Sequence, residues 1–169
     1  MRKLYLSLSI VITLMGFLAS ASNATEIHVS PKPQEMIFAT WQGFEIDKLA
    51  SIWLLKRFVA PGRAVIRFYP TGTMEMKGIA FDVPGARLRR YHSASTFETI
   101  LKHYGIDDPK LVYMGKIIHD IEINIWQQKF IARTPEVQAA LREIIEKGAG
   151  NNETVEEACR YLDGFYKGL

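Results

Sequence analysis

The chain has 169 residues, 48% of them hydrophobic and 23% charged, with one cysteine and a formal net charge of +3. These proportions exclude a disordered, collagen-like or disulfide-scaffold protein and fit one globular core. The small net charge gives no reason to expect a nucleic-acid partner.

Arg2 and Lys3 precede an apolar run from Leu4 to Ala19 and a small-residue stretch from Ser20 to Ala24. This is the pattern of a secretory signal peptide, so residues 1–24 are expected to be removed after Ala24, with Ala21 the alternative, and the protein to be exported to a bacterial periplasm. The run is short for a span of about 20 residues, and no other stretch could cross a bilayer; no membrane span is expected after cleavage. Residues 25–35 carry Pro31 and Pro33 without sustained periodicity and read as a flexible N-terminal arm.

The domain is expected over residues 36–169, as an α/β or α+β fold: a small sheet with a βαβ opening and a helix-rich C-terminal half. Ile37 to Trp41 reads as a first strand ended by Gly43. From Ile46, Leu49, Ala50, Trp53 and Leu54 recur at helical spacing, while Ile52, Leu55 and Phe58 make the opposite face apolar as well, which predicts a helix covered on both sides. Pro61 and Gly62 end it. Ala64 to Tyr69 alternates as a second strand, Gly78 to Asp82 is a short third, and Val83-Pro84-Gly85 is a turn. Ala86 to His92 extends from that turn as an unusually cationic segment.

Ser95 and Glu98 form a capping-box pattern for a helix to about His103, closed by Gly105. Asp108-Pro109 opens a long helix whose apolar face is Leu111, Met114, Ile118, Ile121 and Ile125. Thr134-Pro135 opens the next, with Val137, Leu141, Ile144 and Ile145 as its stripe. Asn152 starts a last helix carrying Val155, Cys159 and Leu162. Cys159 lies in that apolar pattern and reads as packed; a lone thiol cannot form an internal disulfide.

Five ordered segments carry a family resemblance: residues 44–58 (Phe44-Glu45-Ile46-Asp47 onward), Ala80-Phe81-Asp82-Val83-Pro84-Gly85, Tyr91-His92 leading to Thr96-Phe97-Glu98, residues 104–109, and Tyr161-Leu162-Asp163-Gly164-Phe165-Tyr166. In these the sequence resembles the chromate resistance proteins, both the exported form and the C-terminal domain of the chromate-responsive regulator ChrB. The resemblance implies chromate resistance as biological context. No additional domain is expected before the matching segments, and on that expectation the resemblance implies the exported form over a DNA-binding regulator. The regulator form tends to have Gly-Ala-Asp at residues 118–120, so only Asp120 carries over there.

Two constellations could carry chemistry. His119, Asp120 and Glu122 lie together on the long helix; His119 and Glu122 are about 60° apart on a helical wheel and share a face, while Asp120 points elsewhere. One of these with His92, at the end of a cationic segment, would make an economical metal site. Glu45 and Asp47 are further candidate ligands, because they stand where a strand hands over to a helix. Imidazole and carboxylate donors suit zinc, iron, manganese or nickel. The second constellation is cationic: Arg87, Arg89, Arg90 and Lys48, with Lys56 and Arg57 nearby. Guanidinium and ammonium groups are the donors that fit an oxyanion such as chromate.

The sequence therefore predicts an accessory protein of chromate resistance that binds an oxyanion or a metal ion in a His/Asp/Glu-lined cleft. A metal-dependent hydrolase-like enzyme using the same cleft, and a partner-binding protein with no small-molecule site, are the alternatives.

Overall fold

β1 (Met36–Trp41), α1 (Ile46–Leu54) and β2 (Ala64–Tyr69) form the expected βαβ unit. The computed structural model describes residues 34–124, 128–148 and 150–169; the expected signal peptide, most of the arm and Ile125 lie outside them. β3 (Ile79–Ala80) completes a three-stranded sheet in the order β2-β1-β3. Both pairings are parallel, with Phe38 opposite Ile66 on one side and Ile79 on the other. All three strands therefore deliver their carboxyl ends to one edge of the sheet, the edge at which open α/β sheets place their ligands.

Gly78 makes the β1-β3 approach possible. Its φ is +125°, and a Cβ at this position would stand 2.7 Å from the Ile37 carbonyl oxygen. Any side chain would push the strands apart, besides being strained at that φ.

Every residue of α1 is buried, as its two apolar faces require. The helix continues through a π-helical turn over Leu55–Val59. It packs against α2 (Thr96–Tyr104), α3 (Pro109–Glu122), α4 (Thr134–Lys147) and α5 (Asn151–Lys167). Trp53, fully buried, stacks on Phe97 and meets Phe58 and Tyr166 edge-on or tilted, with ring centroids 5.2 to 6.4 Å apart. Truncating such a residue to alanine costs about 3–5 kcal/mol. Cys159 is buried, and burial raises its thiol pKa, as expected of a packed thiol.

The caps explain the helix boundaries. Ser95 accepts from the Glu98 amide while Glu98 accepts from the Ser95 amide, a complete capping box. Asp108 accepts from the Lys110 and Leu111 amides with Pro109 in the first turn. Gly105 and Gly148 close α2 and α4 with φ of +63° and +61°.

The cationic segment from Ala86 to His92 forms no strand. Residues 86–92 make only isolated bridges, Phe81 with Leu88 and Tyr91 with Ala94. Leu88 is buried and anchors the segment, so it runs as an irregular loop across the carboxyl edge of the sheet and delivers Arg89 and Arg90 there.

Candidate functional site

The carboxyl ends of the strands open into a cleft of about 540 Å³ lined by Trp41, Gly43, Glu45, Lys48, Asp82, Pro84, Arg89 and Arg90 among others. β1 supplies Trp41, the start of α1 supplies Lys48, the end of β3 leads into Asp82, and the loop pinned by Leu88 supplies the two arginines. The cleft thus mixes three cations with two carboxylates.

The four predicted oxyanion donors are not equivalent. Lys48 is committed to the fold: its ammonium donates to the carbonyls of Trp41 at 3.1 Å and Gly43 at 2.8 Å and stands 3.7 Å from Asp82. With only 8% of its side chain exposed, it ties the first turn of α1 to the end of β1. Arg90 donates to Glu122 at 2.8 Å and lies 3.9 Å from Glu45. Arg87 is exposed and opens on a different groove, beside His92 and His103. Arg89 differs from all three. Its guanidinium stacks over the Tyr91 ring at 4.5 Å, it has no ion pair or hydrogen bond among the described residues, and its Nε is buried without an acceptor. A buried donor without an acceptor costs about 1–3 kcal/mol, a cost that a bound anion would remove.

The six predicted metal ligands are dispersed. His92 shares a shallow groove with Glu122, whereas His119 and Asp120 line a separate one with Phe130. His119 Nδ1 sits 2.8 Å from Glu98 Oε2. Asp120 turns the other way, accepting from the Phe130 and Ile131 amides and from Asn124; although burial opposes it, these donors hold its pKa below the usual carboxylate value. Glu45 is at the rim of the cleft, with 61% of its side chain exposed. Asp47 is buried. Among the described residues no three His, Cys, Asp or Glu side chains stand where they could hold a metal ion. His92 therefore lines a different groove from His119 and Asp120, and His119 and Asp120 point apart on their helix, each drawn to its own structural partner.

Behind the cleft lies a chain of acids. Asp47 Oδ2 and Oδ1 accept from the amides of Thr96 and Phe97, at the N-terminus of α2. Thr96 Oγ1 in turn donates to Asp82 Oδ1 at 2.7 Å, and Glu122 Oε1 accepts from the Asp47 amide at 3.4 Å. Burial, then the charge of Asp82, pushes Asp47 up to about 7, although the two amides oppose the shift. Burial also raises Asp82 and Glu122, against the pull of Thr96 on the first and Arg90 on the second.

Asp82 and Glu98 escaped the sequence reading as chemistry. Asp82 follows β3 just before the Val83-Pro84-Gly85 turn, and its place at the carboxyl edge of a parallel sheet was the usable signal. It is the sole non-glycine among the described residues with positive φ, at +52°, a conformation Asp tolerates better than most. Glu98 was read only as a cap, yet the same Oε2 that completes the capping box also meets His119.

A family model described as ChrB, C-terminal domain, matches residues 38–169. Protein ChrB of Cupriavidus metallidurans is 25% identical over 130 residues, covering 76% of this chain and 39% of that protein. The chain thus spans about two fifths of the length of the curated relative it matches. No solved structure matches.

Proposed function

The chain belongs to the ChrB C-terminal domain family, and from that premise we propose that it is an exported accessory protein of chromate resistance that binds an oxyanion in the cleft at the carboxyl ends of the strands. Chromate is a tetrahedral dianion whose oxygens accept hydrogen bonds, and a guanidinium fork is the side chain best shaped to meet two of them. The observation that carries the reading is Arg89: a cleft-lining guanidinium, steadied by Tyr91, whose buried Nε has no acceptor among the described residues. Its neighbours Lys48 and Arg90 already have carboxylate partners and contribute field in place of free donors.

Calorimetric titration of chromate into the purified protein tests this. One saturable site is expected, weakened about tenfold or more in R89Q, the scale of one charge-assisted contact. Absence of saturable binding, or full affinity in R89Q, would overturn it. Export rests on the basic, apolar and small-residue order of residues 2–24. Intact mass of the protein recovered from a periplasmic extract should correspond to a chain starting at Thr25, and an uncut Met1 to Ala24 segment would count against it.

A further inference from the structure

Arg89 can serve the acceptor oxygens of an anion in the cleft, but a carboxylate lines the same cleft and bears on which anion fits. Asp82 and Arg89 both line it, and the Asp82 carboxylate is underused. Oδ1 accepts from Thr96 Oγ1, while among the described residues Oδ2 has the Lys48 ammonium at 3.7 Å, beyond hydrogen-bond length, and no hydrogen bond. A carboxylate offers about four lone-pair sites, and 11% of this side chain is open to the cleft side of the molecule or to solvent. The groups around it are Glu45, Asp47 and Lys48 from α1 and its approach, Arg90 from the arginine loop and Glu122 from α3. Thr96 at the start of α2 fixes the carboxylate in place. The left-handed backbone of Asp82 adds a second mark, since such positions concentrate at functional sites.

A fully deprotonated oxyanion placed against Arg89 would set its oxygens against an acceptor-only carboxylate, with charge repulsion and no hydrogen bond. An oxyanion that keeps one acidic O–H reverses that contact: the O–H donates to Asp82 while the remaining oxygens accept from Arg89. We infer that Asp82 makes this cleft favour oxyanions that can present an acidic O–H, such as hydrogen phosphate or the protonated minority form of chromate, over sulfate, which has none. The inference rests on the oxyanion reading of the cleft and specifies its ligand class.

The two are separated by titrating inorganic phosphate and sulfate into the wild-type protein at pH 7, and repeating both with Asp82→Asn. Asn tolerates the same backbone conformation and can still accept from Thr96, but offers an amide donor on its other arm. Wild type is expected to bind phosphate at least tenfold more tightly than sulfate, and D82N to bring the ratio close to one, chiefly by gaining sulfate. Equal affinities in the wild type, or a ratio unchanged in D82N, overturn the selection while leaving an oxyanion site. Failure of the wild type to bind either anion overturns the site and the selection together.

Discussion

The Thr96 amide donates to Asp47 Oδ2 at 2.6 Å across 49 positions of sequence, and the next amide, Phe97, donates to Oδ1 at 2.9 Å. Asp47 therefore serves two helices. It lies in the first turn of α1, where a negative charge is favoured, and it also meets the N-terminus of α2. By joining the two helices it fixes Thr96, and through Thr96 it fixes Asp82 at the cleft.

Burial sets the sign of the resulting pH dependence. Asp47 titrates at about 7 in the folded protein against an ordinary value of 3.8, because desolvation and Asp82 outweigh the two amides. The native state therefore keeps a proton that the unfolded chain has released. The associated stability is fully present below pH 3.8 and lost as pH rises through about 7. Asp82 and Glu122, also raised, act in the same direction. The thermal midpoint should fall between about pH 4 and about pH 7. It should fall less in D47N, which has no charge to desolvate, and an equally steep profile in D47N would show that Asp47 is not the source.

Trp53 and Arg57 both donate to Asp163, the indole Nε1 at 2.8 Å and the guanidinium through two nitrogens at 2.9 Å. The two bonds have different worth. The Arg57 side chain is 41% exposed, so after solvent screening its pair contributes about 1 kcal/mol or less. The indole belongs to a fully buried ring, and leaving its N–H unpaired costs about 1–3 kcal/mol more. In urea denaturation D163A should therefore be clearly less stable than R57A. Equal losses would mean that water reaches the indole.

Asp120 is expected to be structural. Its carboxylate holds the Phe130 and Ile131 amides, and its carbonyl accepts from the Lys129 ammonium at 2.8 Å. D120A should expose Lys129 to trypsin faster than wild type while leaving anion affinity unchanged. A loss of anion binding without faster cleavage would return Asp120 to the site. Its folded pKa is lowered, so this contribution is present above pH 3.8 and lost as pH falls below it.

How much of this was legible in the sequence depends on how local the cause is. The Ser95-Glu98 box, the Asp108-Pro109 start and the two-faced apolar pattern of α1 are set within a few residues, and each appears where it was read. Thr134 is the first helical residue, not the cap, since Arg133 precedes α4 as its N-cap. The segment after Gly85 defeated local reading because its course is set by Leu88 entering a core built from distant elements. A related reason separates the candidate ligands of α3: His119, Asp120 and Glu122 are close in sequence, but Glu98, the Phe130 and Ile131 amides, and Arg90 claim them separately. Asp82 became visible only once the sheet placed its carboxyl edge against the arginine loop.

That edge gives the last prediction, an order among cations that sequence treats alike. Arg87 opens on another groove, so R87Q should change chromate affinity less than about twofold, through the diffuse field alone. Arg90 already meets Glu122 and Glu45, and removing it leaves the largely buried Glu122 without its guanidinium. R90Q should therefore lose stability as well as some affinity. Among the described residues Arg89 has no carboxylate to leave behind and its buried Nε has no acceptor, so R89Q should lose affinity with little loss of stability. The three variants, titrated with chromate at low and high salt and compared by thermal midpoint, should separate accordingly. An R87Q effect as large as that of R89Q would move the anion out of the cleft, and an R89Q protein as destabilised as R90Q would show that Arg89 has a structural partner.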